Sequence, residues 1–278
     1  MIEKLAYVRR GVADLGRAAA FAEDIVGLQR VEAGEGVALF RSDARDHSLA
    51  LVEGEAGASL GLELRDMGAL KALEQRLAGR ETWRGSEAEC AARRCKALLG
   101  LKLRGGLALE FVVRPLSSGW RYHGPRDAGI CGLSGVVLAS TDVEADVALW
   151  CEVLGARVSD WVGEGAYLAI DEAHHRVLLL PSARDGLLEV QFEVEGIDQV
   201  MQAGYFLQSQ QVPVVSGPGR NPASGALFIS YRGPEDMLFG YVGEGAAHDG
   251  LARQFPGARS GFCAWGSDST VAEYGGEA

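Results

Sequence analysis

The stretch "LSGVVLASTDV", residues 133–143, repeats the pattern of "LAYVRRGVADL", residues 5–15. Aligning the two stretches places Asp14 on Asp142, an offset of 128 positions (142−14). The similarity continues from "AGEGVALFRSDARDHSLALV" into "VGEGAYLAIDEAHHRVLLLP", with one residue dropped from the second copy. Two similar copies at this long spacing indicate a duplicated module rather than a solenoid.

Each copy contains the same order of elements. A short apolar strand is followed by an aspartate that can cap a helix, by a helix that ends at Gly27 or Gly155, and by alternating strands. "SLGLELRD" before "MGALKALEQRL", and "LLEVQFEV" before "IDQVMQAGYFL", begin the same scheme again. The sequence therefore predicts an α+β fold of two tandem modules, each a pair of βαβββ units that form a curved sheet around a cavity.

A linker divides the predicted modules. The stretch "RPLSSGWRYHGPRDAG" is rich in proline, glycine and serine, which is typical of a connection between domains. We predict an N-terminal module over 1–115, a linker over 116–129 and a C-terminal module with the ligand cavity over 130–260. The tail, 261–278, is expected to be partly flexible because it is rich in glycine, serine and acidic residues.

The composition and charge of the chain argue against several kinds of binding partner. A formal net charge of −11 argues against nucleic acid and against anionic membranes as partners, because both attract clustered lysine and arginine. No apolar run approaches the roughly 20 residues of a membrane-spanning helix. The start, "MIEKLAYVRR", lacks the features of a signal peptide, so we expect a cytoplasmic protein.

Several segments resemble the vicinal oxygen chelate superfamily, and in particular its two-domain type I extradiol dioxygenases, which cleave catechols and biphenyl-2,3-diols. "YVRRGVADLGRAAAFAEDIVGL" is similar to the family's N-terminal module, and "GLALEFVVRPLSSGW" to the end of that module and its linker. "AYLAIDEAHHRVLLL" is similar to the strand pair with adjacent histidines, and "LLEVQFEVEGIDQV" and "SGPGRN" to the elements that follow. The resemblance covers nearly the whole chain. It implies that relatives hold Fe(II) or Mn(II) in the C-terminal module through two His and one Glu, with positions left open for the diol and O2.

The positions that match these metal ligands carry other residues. The resemblance places the first His at Gly135, the second His at Glu189 and the Glu at Gly240. Glycine has no side chain to donate, and no small shift of the alignment brings a histidine to either position. The histidines stand at 47, 123, 174, 175 and 248. We therefore predict no metal and no cofactor, with Fe(II) or Mn(II) expected only if the alignment is wrong.

Other family positions are also altered. The acid–base His falls on His175, which is the one match, a second His falls on Asn221, and a Tyr falls on Ser230. Tyr231 is expected on the opposite face of its strand. The predicted catalytic residues are His175 and Glu189. The predicted substrate-binding residues are Gly135, His175, Asn221, Ser230 and Gly240.

Both candidate catalytic residues have a structural alternative. Of the adjacent His174 and His175, one is expected to face the cavity, where an imidazole pKa near 6.5 suits proton transfer; the alternative is a polar loop edge. Glu189 alternates with Leu187 and Gln191 toward the interior, where apolar surroundings should raise its pKa and make it a base. The alternative is a solvated or ion-paired glutamate.

The N-terminal module is not expected to hold a site. Its equivalent positions are Tyr7, Gly61 and Glu110, which do not make an iron site, and Glu110 is expected to be structural.

Three functions follow from the resemblance. The first is a dioxygenase homologue that binds an aromatic or phenolic small molecule and transforms it without metal. The second is a sequestering protein or a non-catalytic subunit. The third is a metal-dependent extradiol dioxygenase with a displaced site. The family further implies a homo-oligomer.

Overall fold

The computed structural model describes residues 2–266 and 268–275, which form two β-sheets with short helices packed on them. The strands of the first sheet are β1 (Ile2–Val12), β2 (Gln29–Val31), β3 (Val37–Arg41), β4 (Leu49–Glu53), β5 (Ala58–Leu64), β6 (Thr82–Arg84), β7 (Ala97–Lys102) and β8 (Leu107–Val113). Its helices are α1 (Leu15–Ala20), which a π-helical turn (Phe21–Ile25) continues, α2 (Met67–Arg76) and α3 (Glu87–Ala92), with a 3-10 turn at Arg104–Gly106.

The second sheet contains the C-terminal repeat. Its strands are β9 (Ile130–Ser140), β10 (Arg157–Val162), β11 (Gly165–Ala169), β12 (Val177–Pro181), β13 (Gly186–Val194), β14 (Val214–Arg220), β15 (Leu227–Arg232), β16 (Leu238–Gly243) and β17 (Arg253–Phe255). Its helices are α4 (Val143–Ala148), which a π-helical turn (Leu149–Val153) continues, α5 (Ile197–Ser209) and α6 (Arg259–Phe262), with 3-10 turns at Pro234–Asp236 and Ala272–Tyr274.

The strand order confirms the predicted duplication. The first sheet runs β2-β3-β4-β1-β5-β8-β7-β6, and the second runs β14-β15-β16-β13-β9-β12-β11-β10-β17. In each sheet two βαβββ units meet through an antiparallel pair, β1 with β5 and β9 with β13. The α+β fold of two tandem modules is therefore confirmed, and the second sheet gains β17 as an extra edge strand.

The predicted helix caps show why the two copies fold alike locally. Asp14 accepts a hydrogen bond from Arg17 N (2.9 Å), and Asp142 accepts one from Ala145 N (3.1 Å). Each carboxylate satisfies an amide that the first helical turn leaves free. The π-helical turn that ends each helix recurs in both copies, so the repeat extends to irregular backbone.

The two modules share one hydrophobic core. Phe21 of the first module packs against Phe239 of the second, with ring centroids 5.6 Å apart. Tyr241 donates its hydroxyl hydrogen to Val26 O (2.7 Å) and accepts a hydrogen bond from Arg126 (2.7 Å). The end of the first helical segment, residues 21–26, therefore contacts β16 of the second module.

The C-terminal tail follows β17. Val271 and Tyr274 are buried in the described part of this tail, whose flexibility stays a prediction for residues 267 and 276–278, which lie outside the described residues. Across residues 2–266 and 268–275, none of the helices has the length and apolar character needed to span a bilayer.

Candidate functional site

A small cavity lies inside the curved second sheet and opens into a wider cleft. The inner cavity has a volume of about 60 Å³, and the outer cleft has a volume of about 260 Å³. His175 and Gln191 line both, so the two spaces meet at these side chains. Other residues that line the inner cavity are Tyr167, Leu178, Asn221, Ser230, Phe262 and Tyr274.

Glu189 lies on β13 with its carboxylate fully buried beside this cavity. Ser230 Oγ and Gln191 Nε2 donate hydrogen bonds to its Oε1, at 2.9 and 3.1 Å, and the Tyr274 hydroxyl donates to its Oε2. Burial raises the pKa of Glu189, and the three hydrogen bonds offset part of that effect. The structure therefore excludes a solvated glutamate and agrees with the expected raised pKa.

Gly240 leaves the space that this carboxylate occupies. A Cβ atom on Gly240 would lie 2.1 Å from Glu189 Oε1, closer than any two such atoms approach. Gly135, Gln191 and Gly240 lie opposite one another across β9, β13 and β16. Gln191 is thus the residue between the two glycines, and Glu189 reaches Gly240 from two residues earlier. Neither glycine is among the residues that line the cavities, and neither is Glu189, which touches them through Ser230, Gln191 and Tyr274. The binding role of the two glycines stays a prediction.

His175 lies in the loop between β11 and β12 rather than on a strand, with its ring 4.8 Å from Tyr167 in an edge-on contact. Burial, together with nearby His174 and Arg176, lowers the pKa of His175 to about 3. The imidazole is therefore neutral at pH 7, which differs from the expectation of a group that titrates near 6.5. Low local polarity, which the sequence does not show, is the reason.

Hydrogen bonds fix which nitrogen of His175 carries the proton. Buried Asp160 accepts from His174 Nε2 (2.8 Å) and from Arg253 (2.7 Å). A carboxylate only accepts, so His174 Nε2 carries hydrogen. Burial keeps the pKa of His174 low, hence its Nδ1 is an acceptor and the 3.0 Å contact needs His175 Nδ1 to donate. The lone pair of His175 therefore lies on Nε2.

Asn221 and Ser230 both line the inner cavity, as predicted, and both already make hydrogen bonds. Asn221 Nδ2 donates to the Tyr167 hydroxyl (2.8 Å), while its Oδ1 accepts from Ser224 N (3.0 Å). Ser230 Oγ donates a hydrogen bond to Glu189 Oε1. Tyr231 points to the opposite face of β15, into the shared core, as the strand alternation predicts. Asn221 and Ser230 therefore form part of the cavity wall.

Sequence reasoning missed three residues of the site. Asp160 is the single acidic residue in β10, and an acidic side chain within a strand was the one signal in the sequence; its complete burial is visible only in the structure. Tyr167 lies on the strand before the paired histidines. Tyr274 is a lone aromatic residue among glycine and acidic residues, and no local pattern shows that the tail returns to the cavity.

The residues at the matched metal positions do not fit a two-His-one-Glu iron site. They offer one carboxylate, and three hydrogen-bond donors already occupy its oxygens. Within the residues that the structure describes, no three His, Cys, Asp or Glu side chains group in a way that could hold a metal ion.

The protein is built from two tandem modules, each a pair of βαβββ units, with a cavity in the second module. Residues 132–241, which lie in the second module, match the family model of the Glyoxalase/Bleomycin resistance protein/Dioxygenase superfamily. Over the whole chain, the fold is that of a halotolerant catechol dioxygenase (BphC), with a TM-score of 0.89 at 20% identity, covering 99% of this chain and 98% of that one.

Two relatives extend the similarity. The 1,2-dihydroxynaphthalene dioxygenase of Sphingobium xenophagum is 25% identical over 260 residues, which cover 86% of this chain and 87% of that protein. The biphenyl-2,3-diol 1,2-dioxygenase of Pseudomonas sp. (strain KKS102) is 31% identical over 172 residues, which cover 57% and 58%. The resemblance to this superfamily and to its extradiol dioxygenases is thus confirmed.

Proposed function

We propose that the second module binds a small aromatic molecule with a phenolic hydroxyl, and that it does so without a two-His-one-Glu metal site. One observation carries this proposal. The buried carboxylate of Glu189 occupies the space that a side chain at Gly240 would need, directly beside the cavity.

The cavity wall favours an aromatic ligand that donates hydrogen bonds. Tyr167, Phe262 and Leu178 supply an apolar and aromatic surface. Glu189 and the lone pair of His175 Nε2 are acceptors, so the ligand must bring the hydrogen. A phenol or a vicinal diol combines a flat apolar ring with such donors, and the names of the two relatives describe dioxygenases of aromatic diols.

The protonation equilibria favour binding over acid–base chemistry at His175. A general base works best when its pKa lies near the working pH, and a pKa of about 3 leaves His175 a weak base. Its role in the proposal is to accept a hydrogen bond. Glu189, whose pKa is raised, is the better candidate to take a proton from a phenol in a metal-free step. Sequestration without turnover is the second candidate, and the low pKa of His175 favours it.

Metal analysis combined with binding separates these candidates from a working dioxygenase. Protein purified without chelators should contain far less than one Fe or Mn per chain, should bind catechol and 1,2-dihydroxynaphthalene, and should form no yellow ring-fission product. Stoichiometric Fe or Mn together with that product would overturn the proposal and establish a dioxygenase with a displaced site.

Variants of Glu189 test the binding role directly. In a Tyr274→Ala background, which removes the chain's own hydroxyl donor to Oε2, Glu189→Gln should weaken binding of 1,2-dihydroxynaphthalene about 10- to 100-fold, since a hydrogen bond to a charged group contributes about 1.5–3 kcal/mol. Glu195→Gln, at an exposed position just beyond the same strand, is the matched control and should bind like the parent protein. Unchanged affinity in both Glu189→Gln and His175→Ala would contradict the proposed roles.

A further inference from the structure

The C-terminal segment 268–275 ends inside the second module. It passes β14, where Thr270 N donates a hydrogen bond to Val215 O (2.8 Å), and then makes a single 3-10 turn. Tyr274 is 7% exposed, and its ring packs against Phe262 with centroids 5.9 Å apart. The tail thus brings a phenol of the chain itself to the inner cavity.

The space beside Tyr274 is too small for a second ring. The inner cavity has a volume of about 60 Å³, whereas an enclosed cavity that takes up benzene has about 150 Å³. Tyr274 also occupies the position next to the Glu189 carboxylate, because its hydroxyl donates a hydrogen bond to Oε2. Glu189 is fully buried and lines neither the inner cavity nor the cleft, so an aromatic ring in the cleft does not reach its Oε2 unless Tyr274 moves away.

Few backbone hydrogen bonds hold the tail in this position. Besides the bonds of Thr270 and Tyr274, Ser182 Oγ donates to Glu273 Oε1 (2.8 Å), Asp268 forms a salt bridge with Arg259 (2.5 Å), and Gly266 forms one isolated bridge with Gly219. Val271 is buried with Tyr274 in one apolar cluster. Neither a strand ladder nor a long helix stabilises residues 268–275. Segments with so few backbone hydrogen bonds open at much lower free energy than the strands of a sheet.

We propose that Glu189, Ser230 and Gln191 form a phenol subsite that Tyr274 fills in this structure, and that a phenolic ligand enters by displacing Tyr274. This inference rests on the proposed function. The exchange preserves the hydrogen bond to the carboxylate, because the ligand hydroxyl takes the place of the Tyr274 hydroxyl. An aromatic molecule without a hydroxyl would leave Glu189 Oε2 buried and unpaired, which destabilises its complex. The subsite therefore selects phenols.

The tyrosine side chain has an exact small-molecule analogue, p-cresol, which makes the exchange measurable. Titration calorimetry should show that Tyr274→Ala binds p-cresol at least 10-fold more tightly than the parent protein, with Tyr274→Phe in between. In Tyr274→Ala, toluene should bind at least 10-fold more weakly than p-cresol, because it lacks the donor for Glu189. Tyr205→Ala removes a tyrosine that is 74% exposed on α5 and should leave the affinity unchanged.

The outcomes separate this inference from the proposed function. Equal affinity of the parent protein and Tyr274→Ala for p-cresol would overturn displacement and leave phenol binding intact, since the ligand would then lie elsewhere in the cleft. Failure of all these proteins to bind either p-cresol or catechol would overturn both.

Hydrogen exchange on the unmodified protein gives a test that needs no variant. Saturating p-cresol should increase amide exchange in the peptide that covers 268–275, because the tail leaves its position. Reduced exchange in that peptide would show a ligand that packs against an unmoved tail, and would overturn the inference even if Tyr274→Ala does not fold.

Discussion

The two modules place different residues in the same row of their sheets. In the first module, Tyr7, Gly61 and Glu110 lie opposite one another across β1, β5 and β8. Tyr7 donates to Glu110 Oε2 (2.6 Å), and Arg93 forms a salt bridge with the same carboxylate (2.7 Å). Gly61 has no side chain because a Cβ would lie 2.4 Å from the Tyr7 ring. The first module therefore fills this row with side chains from its own strands and with Arg93, which directly follows α3.

The second module leaves the corresponding row open. Gly135, Gln191 and Gly240 offer only one side chain there, so Glu189 extends over Gly240 and the cavity persists beside it. The phenol that pairs with the carboxylate comes from the tail and not from a strand. Both modules thus contain a buried tyrosine that donates a hydrogen bond to a buried glutamate. In the first module the tyrosine lies on a strand, whereas in the second it lies on a tail segment with few backbone hydrogen bonds. Only the tyrosine of the second module, Tyr274, lies on a segment that a ligand can displace.

The largest effect is expected from Arg93→Met, which leaves the Glu110 carboxylate buried without its cation. Breaking a buried ion pair by removing one partner costs about 3–5 kcal/mol, which denaturant unfolding would measure. Arg65→Met, at an exposed pair with Glu3, is the control and should change stability little. A small loss in Arg93→Met would mean that the first module does not depend on its closed row.

Gly61 in the first row and Gly240 in the second each lie against a buried side chain, and they are expected to differ in how well they accept a methyl group. Gly61→Ala should cost about 2–3 kcal/mol, because the rigid Tyr7 ring cannot yield, and Gly240→Ala about 1–2 kcal/mol, because the Glu189 carboxylate can swing away. Gly34→Ala, which has no atom within 4 Å of its new Cβ, should be nearly neutral. Thermal unfolding of the three variants checks the order, and the reverse order would contradict the proposed difference in rigidity.

The pH dependence of stability should depend on the second module. Between pH 6.5 and about 3, the unfolded chain protonates His175 while the folded chain keeps it neutral. The unfolded state then binds more protons, so stability falls as pH falls, by up to about 1.4 kcal/mol per pH unit for one group. His175→Gln should show a shallower fall than the parent protein in urea unfolding between pH 6.5 and 4.5. His123→Gln, at an exposed linker position, should retain the parent slope.

The smallest effect is expected where the modules are alike. Asp14→Ala and Asp142→Ala each remove the carboxylate that caps the first helix of its repeat, at a cost of about 1 kcal/mol. Equal losses in denaturant unfolding would show that the duplicated scaffold kept its energetics while the two rows diverged. A loss in only one of them would show divergence of the scaffold as well.

Much of the fold was predictable because it depends on local patterns. The two copies, their βαβββ order and the capping aspartates appear directly in the spacing of apolar residues and in Asp14 and Asp142. His175, Asn221 and Ser230 were also predicted near the cavity, because the resemblance supplied their positions. Glu189 was predicted to be interior with a raised pKa, since strand alternation points it inward.

The sequence by itself determined the duplicated frame and the glycines at 135 and 240, because strand periodicity, caps and missing side chains are properties of neighbouring residues. Only the tertiary structure decided what occupies the resulting space. Tyr274 meets Glu189 across 85 positions of sequence, and Asp160 reaches His174 from another strand. Such contacts join residues that are far apart in the sequence. Burial then raises the pKa of Glu189 and lowers that of His175, because an interior of low polarity disfavours the charged form of each group.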